Sequence, residues 1–179
     1  GFIEETGAAQ YYRDARILTD YEGTTAIQAN DLVGRKTARD GGQMARAVAA
    51  QIEKTEGELI ASGTADAQAV ARRLGAARQA FLDAVDFIAG GAKAHPNDVY
   101  AGSVPYLMLA GNLVAGWQLA RALLVAQELS SKGQDAAFMQ AKIATARFYA
   151  EHILVKAPGQ RDAIVEGAAS VMALPLDTF

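Results

Sequence analysis

Apolar residues return every three or four positions along most of this chain, and no stretch alternates with period two, which predicts helices and no sheet. Glu4 to about Leu18 reads as a first helix, followed by an irregular passage through Tyr21-Glu22-Gly23. Thr24 or Thr25 can cap a second helix by accepting from its free first amides, with Ile27, Leu32 and Val33 turned inward. Gly41-Gly42 after Asp40 marks a break. Beyond it Met44, Val48, Ile52, Leu59 and Ile60 form the inner face of a long helix that ends at Ser62-Gly63-Thr64. A cleaner stripe follows, with Val70, Leu74, Ala77, Phe81, Ala84 and Ile88 on one side and most charges on the other. Gly90-Gly91 and His95-Pro96-Asn97 close that helix. Next comes a helix to about Leu129, then a turn at Ser130-Ser131-Lys132-Gly133. Another helix covers Asp135 to about Val155, turning Phe138, Ile143, Ala146, Tyr149, Ala150 and Ile153 inward. Pro158-Gly159 separates it from a last short helix holding Ile164, Val165, Val171 and Met172.

Short turns between long helices make neighbours antiparallel, so the pattern predicts an all-α, up-and-down bundle of long amphipathic helices. One window changes the picture slightly. From Val99 to Ala120 there is no charged side chain, about the roughly 20 residues that span a bilayer. Ser103, Pro105, Asn112, Gln118 and three glycines dilute it, and a central helix buried on all sides reads the same way, so no membrane insertion is expected.

Composition adds exclusions. With 17 basic against 20 acidic residues, interspersed, there is no basic stripe to track phosphates, and no nucleic acid partner is expected. The absence of cysteine rules out disulfides and thiolate metal sites, and fits a cytoplasmic location. The chain opens Gly1-Phe2-Ile3 with neither an initiator Met nor a signal-like segment, and reads as a piece of something longer.

The candidate chemistry lies in Tyr21-Glu22-Gly23-Thr24-Thr25. A carboxylate there sits in a break between helices, beside a flexible Gly and the amide-rich start of a helix, which attracts anions such as pyrophosphate. Projecting into an apolar cleft, it would have the raised pKa that a general base requires near neutrality. The same residues equally make an ordinary turn and cap. Two distant histidines, His95 and His152, form no metal set, and no metal site is expected. Glu4-Glu5 suit a helix start, Trp117 with Met108 and Leu113 suits a core or interface, and Arg147 with Glu151 is a plain helix pair.

Arg13-Asp14-Ala15-Arg16-Ile17, Tyr21-Glu22-Gly23-Thr24 and Ile27-Gln28 together resemble the signature near the end of the third domain of acyl-CoA dehydrogenases, over Phe2 to Thr37 without a gap. The remainder resembles the extra helical domain of one long branch of that family, the methylmercaptopropionyl-CoA dehydrogenase-like branch. That likeness rests on Tyr106-Leu107-Met108, Gly111, Gly116-Trp117, Ala144 to Tyr149 and Arg161-Asp162-Ala163-Ile164. It implies two parts: residues 1–41, the end of the dehydrogenase helical domain with the base segment, and residues 42–179, an appended bundle.

The resemblance further implies that Glu22 removes the proton alpha to a thioester carbonyl while a hydride leaves the beta carbon for FAD. The carbonyl oxygen would be hydrogen-bonded partly by the amide of the base itself. Tyr21 and Gly23 would line the acyl-CoA, and Thr24, Thr25 and Ala26 would contact the cofactor. An electron acceptor, a homo-oligomeric parent and an inactive isolated chain follow from the same likeness, because most flavin contacts lie in domains that are not here. Asp20 stands where the family usually has an apolar residue, and Ala26 where many members have a polar one. From residue 42 onward no catalytic group is evident, so that part reads as a packing or oligomerisation module working through the uncharged helix.

Overall fold

A computed structural model describes residues 3–20 and 23–178. Among these residues every regular element is helical. The chain begins with a short 3-10 turn, Glu4–Thr6, which Gly7 ends in the left-handed region at φ 75°. The single first helix expected from Glu4 is therefore split, and α1 spans Ala8–Asp20. Helix α2, Thr25–Asp31, runs directly into a π-helical segment, Leu32–Ala38. Gly41 and Gly42, at φ 66° and 81°, then turn the chain sharply. The Asp40 carboxylate accepts from Gly42 N at 2.9 Å and Met44 N at 3.0 Å, so it holds the amides that open α3, Gln43–Ser62.

Gly63 at φ 71° ends α3, and the Thr64 hydroxyl accepts from Ala67 N at 3.2 Å to start α4, Ala65–Gly91. A two-residue connection leaves these helices no choice but to fold back on each other. Pro96 occupies the first position of α5, Pro96–Ala101, where its missing N–H is harmless. Helix α6, Ser103–Ser131, and α7, Ala136–His152, form the second hairpin. Pro158 and Gly159 lie inside the first turn of α8, Ala157–Val165, rather than separating two helices, because proline fits a helix start. A short helix, α9, covers Ala168–Val171, and a 3-10 turn, Leu176–Thr178, follows it.

Helix α4 is the axis of the bundle. It packs on α3, α6, α7 and α8, and its stripe from Val70 to Ile88 is buried as the periodicity predicts. Five alanines on that face, Ala67, Ala71, Ala77, Ala80 and Ala84, are buried with it and let the surrounding helices approach closely. Larger side chains from the shell fill the space around them: Ile52, Leu59, Leu109, Leu113, Leu123, Leu154 and Ile164.

Several expected inward positions face out instead. Ile27, Met44, Ile60 and Phe138 are exposed. In α3 their places are taken by Ala49 and, unexpectedly, by Thr55 and Glu56. The uncharged helix is likewise not buried all round. Helix α6 buries Tyr106, Leu109, Leu113, Gly116, Ala120, Leu123 and Ala126, while Val104, Met108, Val114 and Val125 lie on its outer face. It is long and apolar enough to cross a membrane by composition, at a mean hydropathy of 1.3 over its most apolar window.

Candidate functional site

The described part of the candidate segment begins at Gly23, since Tyr21 and Glu22 lie outside the described residues. Gly23, Thr24, Thr25 and Ala26 follow one another into the first turn of α2, and all four are exposed. Thr24 is the cap: its hydroxyl accepts from Ile27 N at 3.4 Å. A side chain at Gly23 would collide with the Gln28 amide, whose flexible end could swing away. The amides of the first turn have no partner within the helix, so this exposed edge is chemically suited to anionic or carbonyl oxygens. It is an edge and not an enclosure.

Neighbouring charges are already paired. Asp20, at the end of α1, is exposed and lies 2.9 Å from Arg16 one turn back. Arg35 holds Asp31 across one turn, and that contact keeps the Asp31 carboxyl below its ordinary range. The first helix itself buries none of its residues; Tyr11, Tyr12, Ile17 and Leu18 are all exposed. By contrast α2 is anchored, with Ala29 completely buried, Val33 of the π-helical segment after it buried as well, and the helix lying along α6.

The other residues weighed from the sequence fall where simple packing puts them. His95 and His152 are exposed, and no group of three or more metal-ligating side chains occurs among the described residues. Trp117 is half-buried and donates from its ring nitrogen to Thr55 Oγ1 at 2.8 Å, tying α6 to α3. Arg147 pairs with Glu151 at 3.2 Å and also with Asp66 of α4 at 2.7 Å. A hollow of about 420 Å³ lies between α6 and α7 and is lined by Arg121, Val125, Phe138 and Lys142.

Two features had no warning in the pattern. One is the near-buried ion pair of Glu56 with Arg78, bidentate at 2.7 and 3.0 Å. The other is a buried hydrogen bond of 2.9 Å between Thr37 and Tyr106, beside an apolar hollow of about 210 Å³. Arg78 reads from sequence as one more outward charge, and Thr37 as an ordinary helical threonine. Only contact across the bundle distinguishes them.

Comparison with known sequences decides the family. The family described as acetyl-CoA dehydrogenase C-terminal like matches residues 43–175. This chain belongs to that family. It is 54% identical over 176 residues to 3-methylmercaptopropionyl-CoA dehydrogenase of Ruegeria pomeroyi, covering 98% of this chain and 30% of that protein. It is 34% identical to the broad-specificity linear acyl-CoA dehydrogenase FadE5 of Mycobacterium tuberculosis, over all of this chain and 30% of that protein. A butyryl-CoA dehydrogenase of Syntrophomonas wolfei is 31% identical, with the same coverages. This chain thus spans about 30% of the length of these relatives, and the family match covers residues 43–175, from α3 onward.

Proposed function

We propose that this chain is the carboxyl-terminal part of a cytoplasmic, FAD-dependent acyl-CoA dehydrogenase, with Glu22 as the base that takes the alpha proton of an acyl-CoA thioester. The observation that carries the reading is the 54% identity, across 98% of the chain, to a protein named for that chemistry. Two structural features agree with it. The segment after the base, Gly23 to Ala26, is exposed and ready to meet another part of a larger protein. Helix α1 leaves its aromatic and aliphatic side chains uncovered, as a helix does when its partner lies elsewhere in the polypeptide.

In this reading Glu22 accepts the proton as a hydride leaves the beta carbon, and a carbon–carbon double bond forms between the two. FAD, when bound, supplies the hydride acceptor, which an electron acceptor later relieves. Gly23 and Tyr21 line the thioester, and Gly23 lets the substrate come close. Thr24, Thr25 and Ala26 would hold the cofactor through their backbone amides. Thr24 keeps its hydroxyl for its own helix, so that contact falls to the main chain. These residues fit one edge of a flavin site; the remaining contacts belong to the rest of the parent, so the isolated chain is colourless and inactive.

Residues 42–179 form the appended bundle in this reading. They contribute a packing surface to the parent or to a second subunit of a homo-oligomer. The outer face of α6, with Val104, Met108 and Val114 exposed and no charge before Arg121, supports this.

The test is Glu22→Gln in the intact parent, which keeps shape but cannot accept a proton. Activity should fall by about 10²-fold or more with FAD retained. A variant that still dehydrogenates acyl-CoA at the parental rate would place the base elsewhere.

A further inference from the structure

The segment joining the candidate base to the bundle is built in an unusual register. Between α2 and the Gly41-Gly42 turn, residues Leu32–Ala38 form a π-helix, with Arg39 N donating to Gly34 O at 3.1 Å and Gly42 N to Thr37 O at 2.8 Å. π-helical turns are rare because each bond spans one residue more than in an α-helix, and a run of seven residues needs something outside the helix to hold it.

Two tyrosines supply that hold. Thr37 is 1% exposed, and its hydroxyl lies 2.9 Å from the Tyr106 hydroxyl on α6. Tyr106 is itself buried and cannot turn aside, because its ring stacks flat on Phe81 of α4 with centroids 5.7 Å apart. Burial pushes the Tyr106 phenol up, which favours the neutral form that carries the hydroxyl proton. On the neighbouring turn Gly34 leaves room for the Tyr100 hydroxyl, which a Cβ there would overlap. The apolar hollow of about 210 Å³ beside Leu32, Lys36 and Thr37 leaves space into which the segment could relax.

The register matters because of what lies upstream. Thr25 lies about three helical turns from Thr37 along the rod. Relaxation of the π-turns to α-helix would swing the start of α2 round its axis, and Gly23 to Ala26 with it. We propose that Thr37 and Tyr106 are positioning residues: their hydrogen bond fixes the π-register of 32–38, and through it the direction in which the base segment meets its substrate. The proposal rests on the reading of Glu22 given above.

The test uses the intact parent flavoprotein with Tyr106→Phe, Thr37→Val and the double variant. Thr37→Ser is the hydroxyl-retaining rescue and Glu22→Gln the reference. Flavin reduction is followed after anaerobic mixing with whichever of 3-methylmercaptopropionyl-CoA and butyryl-CoA the parent turns over. FAD content, and hydrogen exchange at the Arg39 and Gly42 amides, are measured alongside.

Each single variant should slow flavin reduction by about 10- to 100-fold, as a misplacement of about 1 Å does. Apparent substrate affinity should stay within about twofold, FAD should be retained, and the two amides should exchange faster. The double variant should be no slower than the singles, and Thr37→Ser should restore the parental rate. Reduction within twofold of the parent in both singles, while Glu22→Gln abolishes it, overturns the positioning role. So does loss of FAD that Thr37→Ser fails to prevent, which would mark a purely structural bond. If Glu22→Gln still reduces flavin, it is the base assignment that fails, and unchanged amide exchange then overturns the register claim separately.

Discussion

Removing Arg78 should cost this bundle far more than removing its partner. Arg78 is 16% exposed and clasps Glu56, 11% exposed, between α4 and α3; a second carboxylate, Glu53, waits 3.4 Å away. The carboxylates hold the guanidinium firmly in its charged form, against the cost of burial. At a separation of about 4 Å and an effective dielectric of about 20, such a pair attracts by roughly 4 kcal/mol, most of it spent on desolvation. Glu56→Gln keeps one acceptor on Arg78 and leaves Glu53 to neutralise it, so about 1–2 kcal/mol should be lost. Arg78→Met strands Glu56 with no cation, and should cost about 3 kcal/mol, the low end for a broken buried pair because some solvent reaches it. Replacing both with Met should recover stability to within about 1 kcal/mol of the original, since matched apolar packing removes the stranded charge. Urea unfolding followed by helical circular dichroism gives the three values. If Arg78→Met proves no worse than Glu56→Gln, the pair is solvated enough to be ordinary surface charge and the reasoning is wrong.

Two glycines of α6 should respond to alanine with opposite signs. A Cβ on Gly116 would lie 2.7 Å from Leu154 Cδ1 and 2.8 Å from Cδ2, and Leu154 is buried and cannot move off. Gly116→Ala should therefore lose about 1–2 kcal/mol even after the gain in helix propensity, whereas Gly111→Ala, which meets nothing, should gain up to about 1 kcal/mol. Thermal melts of the two variants settle it, and a stabilised Gly116→Ala would contradict the close approach. Asp40 gives the pH prediction. Hydrogen bonds from the Met44 and Gly42 amides hold its carboxyl below the ordinary carboxylate value, so its contribution is present above about pH 4 and fades as pH falls through the lower folded value. The stability gap between the parent chain and Asp40→Asn should be constant near neutrality and close on acidification toward about pH 3. A gap that widens with acid would reverse the sign.

The long helices were readable because their signals are local. Thr64 after Gly63 stops one helix and starts the next, and the α4 stripe repeats without interruption for about five turns. What the pattern mistook were positions whose fate depends on a neighbouring helix. Ile27 and Met44 are apolar at helical spacing, yet they face out because α2 and α3 meet the core through Ala29 and Ala49. The π-turns were invisible, since one more residue per turn leaves no mark on a short apolar pattern. For the candidate site, the motif and its cap at Thr24 could be read directly. The buried bond between Thr37 and Tyr106 could not, because those residues are 69 positions apart and meet only after the bundle closes.

The alanine face of α4 has a consequence for how this bundle can change over time. Ala77 and Ala84 are at zero exposure on a helix that packs against α3, α6, α7 and α8. Enlarging either one wedges several helices apart at once, whereas trading Leu for Ile or Met on a facing helix disturbs a single contact. Sequence drift should therefore be lopsided, with a frozen axis inside a shell whose large residues exchange in compensating pairs. A saturation library scored by folding would show it as a column of intolerance along α4 and paired tolerance around it.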